Sequence, residues 1–264
     1  MYELEYSMPS SVNDAVAEIK KSSEAKYLAG GMTLIPTLKA RLSSADMLVD
    51  LKAANLSNVS VSSSEVVIGS MTRHCDVASS SEVLSSLPAL AKLAGGIGDH
   101  MVRSCGTIGG SLANNDPAAC YPSAVLALDA TIITNERTIG AEDFFVGMFE
   151  TALNENEIIT EVKFPIPEKA SYIKFPNPAS RYAMVGVFIA KKATGVAVAV
   201  TGAGENGVFR CTEIENALNS SFNVGSIDNV EISPDGLNND IHASGSYRAN
   251  LIKEMAKRAL NEII

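Results

Sequence analysis

The sequence predicts an α+β protein of three small subdomains, and three observations carry that expectation. Over residues 26–51 a short apolar run, a Gly-Gly break, a helical stretch and a second apolar run follow one another, the order of a β-loop-α-β unit. Beyond Pro165 and Pro167 the chain turns β-rich, with Ser171–Phe175, Val185–Lys191 and Val196–Gly202 reading as strands of an antiparallel sheet. An amphipathic pattern over Tyr247–Ile263 closes the chain as a helix on that sheet. The expected division is 1–55, an N-terminal α/β unit; 56–166, a central mixed or antiparallel sheet; and 167–264, an antiparallel sheet with helices.

Each element has its own signal. Ser11 and Asp14 read as a capping box, and Val12, Val16 and Ile19 recur on one helical face. Lys26–Ala29 is a short strand, Thr33 is placed to N-cap a helix over Thr33–Leu42, and Asp46–Leu51 is the next strand. Leu56–Ser64 is polar and reads as a turn region before the buried strand Glu65–Gly69. Helical pieces follow at Asp76–Leu87 and Pro88–Leu93, and Pro117 sits where a helix through Leu128 would begin. Ala130–Thr134 and Arg137–Ile139 form a hairpin about Asn135-Glu136, and Ile158–Phe164 is a strand ended by prolines. Thr212 and Glu215 read as a second capping box, and Asn223–Gly236 as loop.

Composition excludes several functions. The net charge of −9 argues against a nucleic-acid surface, because neutralising phosphates needs clustered Lys and Arg. No apolar run reaches the roughly 18 residues of a membrane span. The N-terminus, Met1-Tyr2-Glu3-Leu4-Glu5, has neither the basic start nor the apolar core of a signal peptide, which makes a cytoplasmic protein the expectation. Cys75, Cys105, Cys120 and Cys211 form no Cys-x-x-Cys pair, so neither zinc nor an iron–sulfur cluster is expected on this chain.

Two glycine-rich stretches stand out. The first is Leu28-Ala29-Gly30-Gly31-Met32-Thr33-Leu34 and the second runs from Gly95 through Gly98, Thr107-Ile108-Gly109-Gly110-Ser111 and Asn114-Asn115-Asp116-Pro117. Glycine lets a backbone approach a ligand closely, and successive N–H groups in such a turn suit phosphate oxygens. A Gly-Gly doublet taken alone marks only a turn; two of them after apolar runs suggest one pyrophosphate held between two loops. The Rossmann spacing G-x-G-x-x-G is absent. Other candidates are weak: His74-Cys75-Asp76 and Asp99-His100 read as loop or polar helix surface, and the three histidines have no metal-binding spacing.

These residues resemble the FAD-binding medium subunit of molybdenum hydroxylases, the group that includes carbon monoxide dehydrogenase and the flavin domain of xanthine dehydrogenase. Ala29–Thr33 resembles that family's first phosphate loop, and Arg103 with Gly106–Ser111 its second. The likeness continues through Asp116–Ala119, Leu126–Ala130, Glu157–Glu161 and Tyr247-Arg248. It implies two α/β subdomains of the PCMH-type FAD-binding fold followed by the antiparallel sheet. It implies noncovalent FAD on this chain, with Ile97 and Ile159 lining the flavin, Lys174 contacting it and Tyr182 stacking on it. By the same resemblance, a small partner subunit carries two [2Fe-2S] clusters and a large one the molybdopterin cofactor, in a dimer of heterotrimers that passes electrons to a quinone or NAD. The sequence departs from the family at Ser111, usually Asn, and at Cys120, usually Asp; a thiol is the weaker hydrogen-bonding partner. Replacing Gly109 or Gly110 with a β-branched residue is expected to abolish flavin retention in a chain that still folds. A stand-alone FAD-dependent oxidoreductase and an FAD-less assembly subunit are the alternatives.

Overall fold

The computed structural model describes residues 2–264, and its strands form three main sheets. Strands β1 (Glu5–Ser7), β2 (Lys26–Leu28) and β3 (Met47–Asp50) make a parallel sheet in the order β1-β3-β2, with helices α1 (Val12–Ile19) and α2 (Leu34–Lys39) as the crossovers. Ser11 caps α1 as expected, its Oγ accepting from Asp14 N–H at 3.1 Å. Thr33 does not cap α2: it is itself helical at φ −106° and ψ −50°, and its carbonyl accepts from the Thr37 hydroxyl and N–H instead. This helix is shorter than expected because Arg41 turns left-handed at φ 56° and Leu42 N–H returns to the Thr37 carbonyl, which closes the helix end.

The central sheet is antiparallel, in the order β4-β5-β10-β6-β7. Its strands are β4 (Val59–Val61), β5 (Glu65–Gly69), β6 (Thr131–Thr134), β7 (Thr138–Gly140) and β10 (Ile159–Pro165), and the small hairpin β8 (Phe145–Gly147) and β9 (Glu150–Thr151) stands beside it. Strand β4 lies inside the segment read as turn; Val59 and Val61 pair with Ile68 and Val66 despite the polar residues around them. Between β5 and β6 run α3 (His74–Ser79), α4 (Ser81–Ser86), α5 (Pro88–Gly95), α6 (His100–Cys105), α7 (Ile108–Asn114) and α8 (Tyr121–Ala127), with α9 (Ala141–Phe144) after β7.

The second glycine stretch is thus helical rather than a loop. Asp99 caps α6 through Val102 N–H at 2.9 Å, and Thr107 caps α7 through Gly110 N–H at 3.2 Å. Helix α8 begins at Tyr121 with Pro122 in its first turn, not at Pro117. Asp116 draws Pro117–Ala119 into a turn, accepting from Ala118 N–H on its side chain at 2.8 Å and from Ala119 N–H on its carbonyl at 2.9 Å.

The third sheet, β11 (Lys169–Pro176), β12 (Ala183–Lys192), β13 (Gly195–Gly204) and β14 (Gly207–Arg210), is antiparallel in chain order. One face packs on the central layer through Tyr172, Phe188, Ala190, Ala197 and Ala199. Val185, Val187, Val198 and Val200 on the other face pack under α10 (Thr212–Ser220) and α11 (Gly245–Asn261). Both faces are covered, which is why β12 and β13 read as unbroken apolar runs. The second capping box does not form: Glu215 accepts from Val198 N–H at 2.8 Å and pairs with Arg210, tying α10 to the sheet.

Candidate functional site

A cavity of about 420 Å³ opens where the β2–α2 turn, the α6–α7 segment, the start of β10 and the β11–β12 connection meet. That volume lies in the range of about 300–1,000 Å³ usual for small-molecule sites. Of the residues singled out in the sequence, Ala29, Gly30, Gly31, Met32, Thr33, Leu34, Ile97, Thr107, Gly109, Gly110, Ser111, Cys120, Ile159, Lys174 and Tyr182 all line it. Leu28 and Ile108 do not. Leu28 packs with Leu38 and Leu48 behind the sheet, and Ile108 is fully buried in the main core.

The first turn has the features of an anion cradle. Gly31 is left-handed at φ 70°, and the N–H groups of Gly30, Gly31, Met32 and Thr33 find no acceptor among the described residues. The second stretch differs, because its amides are already used: Ile108 N–H donates to Thr72 carbonyl, Gly109 N–H to Ser70 carbonyl at 2.8 Å and Gly110 N–H to Thr107. Its glycines serve close packing. A Cβ on Gly109 would lie 2.5 Å from the Ser70 Cβ and 2.7 Å from its carbonyl oxygen, and one on Gly30 would lie 2.2 Å from the Cys105 carbonyl oxygen. Gly30 therefore lets the two stretches touch each other. A side chain at Gly109 strikes the protein itself, so the expectation of a folded but flavin-free variant is confined to Gly110, whose Cβ would meet only Thr107 Oγ1 at 3.0 Å and Ala29 Cβ at 3.2 Å.

At the other end, Lys174 is held in place rather than solvated. Its Nζ donates to the carbonyls of Gly96 at 2.7 Å and Arg181 at 3.0 Å and lies 3.6 Å from Cys120 Sγ. The Gly96–Gly98 turn is held by Arg103, whose guanidinium donates to the Ile97 carbonyl at 3.0 Å and that of Gly98 at 3.3 Å. Thr201 fixes the turn bearing Cys120: its single hydroxyl proton goes to the Ala119 carbonyl at 2.6 Å, with the Pro117 carbonyl beside it at 3.0 Å. Tyr182 stands half exposed at the rim; burial, and then Asp116 and Cys120, push its phenol upward. Burial likewise raises Asp116 against the Ala118 N–H.

His74 is the residue that sequence reasoning misplaced. It is buried at the start of α3 with its Nδ1 unpartnered and its ring 5.4 Å from that of Tyr121, not on a polar helix surface. Burial, reinforced by Arg103, lowers it to about 4, so it is neutral at neutral pH. Glu157 also reaches the cavity wall, but its carboxylate is committed to Arg137, Thr134 and the Asn154 N–H. Nothing in the sequence distinguished it from a solvated glutamate except its place in the Glu157–Glu161 resemblance.

A free amide run at one end, apolar walls along the middle and a single fixed ammonium at the other suit a long ligand with a pyrophosphate and a planar ring system. Comparison with known proteins agrees. Residues 2–167 match the family described as FAD binding domain in molybdopterin dehydrogenase. The glyceraldehyde dehydrogenase medium chain of Sulfolobus acidocaldarius is 33% identical over 99% of this chain and 98% of its own length. Among solved structures, carbon monoxide dehydrogenase from Hydrogenophaga pseudoflava lacking the Mo-pyranopterin moiety of its molybdenum cofactor superposes with a TM-score of 0.85 at 31% identity, covering 98% of this chain and 96% of that one. Quinoline 2-oxidoreductase from Pseudomonas putida 86 superposes at 0.89 with 25% identity, covering 99% and 96%. With the family matching most of its length and near-complete relatives of the same architecture, this chain belongs to the FAD binding domain family of molybdopterin dehydrogenases.

Proposed function

We propose that this chain is the FAD-binding, electron-transferring subunit of a molybdenum hydroxylase complex, most like the carbon monoxide dehydrogenase medium subunit. The run of four acceptor-less N–H groups at Gly30–Thr33 on the cavity wall carries the reading, because successive free amides of that kind suit the oxygens of a pyrophosphate. Leu28 and Ile108 hold the two stretches from behind, Leu34, Thr107 and Ser111 line the cavity, Gly109 packs on Ser70, and Gly110 brings the second stretch against the first. Ile97 and Ile159 form an apolar wall for the flavin ring, with Lys174 and Cys120 at one side and Tyr182 over its open edge. Bound FAD supplies the capacity to take electrons up singly and release them singly or in pairs.

The residues of this chain bind and orient. Lys174, anchored on two carbonyls, presents a fixed positive charge, and half-exposed Tyr182 marks the side open to an acceptor. Of the acid–base groups at the cavity, His74 is enclosed, Glu157 is ion-paired, and Asp116 accepts from the Ala118 N–H in the turn before α8. By likeness to the family, substrate chemistry is assigned to partners: a large molybdopterin subunit and a small subunit with two [2Fe-2S] clusters, in a cytoplasmic dimer of heterotrimers that reduces a quinone or NAD. The subdomain division 1–55, 56–166 and 167–264 fits the three sheets and belongs to the same reading.

The test is anaerobic mixing of the isolated, FAD-loaded chain with carbon monoxide, aldehydes and purines, followed at the flavin absorbance. Dithionite should bleach it and the substrates should not, with turnover appearing when both partner chains are added. Bleaching by a substrate alone would make this a stand-alone oxidoreductase, and a chain that never takes up FAD would make it an assembly subunit.

A further inference from the structure

One hydrogen-bond donor reaches the sulfur of Cys120, and a second, buried donor close by has no partner. Lys174 Nζ lies 3.6 Å from Sγ. The Tyr172 hydroxyl is buried close to the same sulfur and makes no hydrogen bond at all. A neutral thiol is a poor acceptor, so an ammonium proton and a phenol proton are both left under-used there. An oxygen atom on the sulfur would accept from both.

Cys120 also lines the cavity, which gives a small oxidant a route to an otherwise buried side chain. The other cysteines lack this setting. Cys211 is enclosed by the third sheet and burial pushes it to about 12, Cys75 is raised by burial and by Asp76, and exposed Cys105 is hydrogen-bonded only to the Ser104 hydroxyl, with the Arg73 guanidinium near it.

We propose that Cys120 is a peroxide-oxidised thiol whose sulfenate and sulfinate are held by Lys174 and Tyr172. In the first step Sγ attacks one oxygen of hydrogen peroxide: an S–O bond forms as the O–O bond breaks. Sulfur loses two electrons, and the departing hydroxide takes the thiol proton and leaves as water. A second peroxide repeats the exchange and gives the sulfinate, the first form that ordinary reductants do not reverse. The positive charge of Lys174 favours both the developing thiolate and the oxygenated anion. The inference stands on this chain alone and does not need the flavin assignment.

The experiment exposes the reduced full chain to graded hydrogen peroxide, quenches it, unfolds it, alkylates the remaining thiols and reads each cysteine by peptide mass. Cys120 should gain one and then two oxygens at peroxide levels that leave Cys105 a thiol. Tyr172→Phe, which keeps the ring, and Lys174→Met should each slow that gain on the order of tenfold, the size expected for one hydrogen bond to a charged group, without changing Cys105. Oxidation of Cys105 ahead of Cys120, or an unchanged Cys120 rate in both variants, would overturn the proposal.

Discussion

At the scale of single residues, His74 shows how burial turns an ordinary side chain into a pH-dependent element. The fold keeps its imidazole neutral down to about pH 4, whereas an unfolded chain protonates near 6.5. The unfolded state therefore binds the proton first. His74 contributes its full stability above pH 6.5, loses it progressively as pH falls, and contributes nothing further below about pH 4. The loss over that window is on the order of 3 kcal/mol. Denaturant titrations from pH 7 to pH 4 should show a falling midpoint in the native chain, and His74→Phe should flatten it. Glu157 acts lower on the scale: burial alone would raise it, but Arg137, the Asn154 N–H and Thr134 outweigh burial and hold it below 4.5, so its contribution disappears only as pH falls through that lower range.

At the scale of elements, the cavity depends on clips between pieces distant in sequence. Thr201 on β13 is fully buried and its hydroxyl donates to the Ala119 carbonyl in the turn before α8, with Gly202 N–H donating to the Pro117 carbonyl at 2.9 Å. Thr201→Val keeps the shape and removes the donor, leaving the Ala119 carbonyl without its partner. It should lower stability by about 1–3 kcal/mol and loosen the position of Cys120, as read by the denaturation midpoint and by alkylation rate at that thiol. Arg248 acts alike at the far edge, donating to the carbonyls of Met184 at 2.7 Å and Gly202 at 3.0 Å and pairing with Asp240. The Tyr247-Arg248 resemblance thus rests on a structural arginine.

At the scale of the molecule, three sheets do not make three independent domains. The largest core takes Ile68, Ile132 and Val162 from the central sheet, Leu90, Leu93 and Val125 from α5 and α8, and Tyr172 and Phe188 from the third sheet. The first sheet's core in turn borrows Leu56, Met71 and Ile158. A fragment spanning 167–264 would expose the inner face of its sheet and should not fold, and the full chain should unfold in one transition. Circular dichroism melting of the chain together with an NMR spectrum of the fragment checks both; a dispersed fragment spectrum would show the third unit to be autonomous.

The sequence by itself determined the fold class, the main strands and the two glycine stretches that border the cavity, because these depend on apolar runs, glycine breaks and caps such as that of Ser11, which act within a few residues. It also carried the family, through motifs spread along the chain. Only the tertiary structure decided that Gly30 and Gly109 face protein backbone, that the amides of the second stretch are spent on Ser70 and Thr72, and that α8 starts at Tyr121, after the turn Asp116 folds, rather than at Pro117. It alone placed His74 in the interior and brought Lys174 to the sulfur of Cys120, with the unpartnered Tyr172 hydroxyl buried close by. The reason is range. A cap or a turn is settled by neighbours along the chain, whereas a spent donor or a close backbone approach is settled by a partner tens of residues away, which no local pattern records.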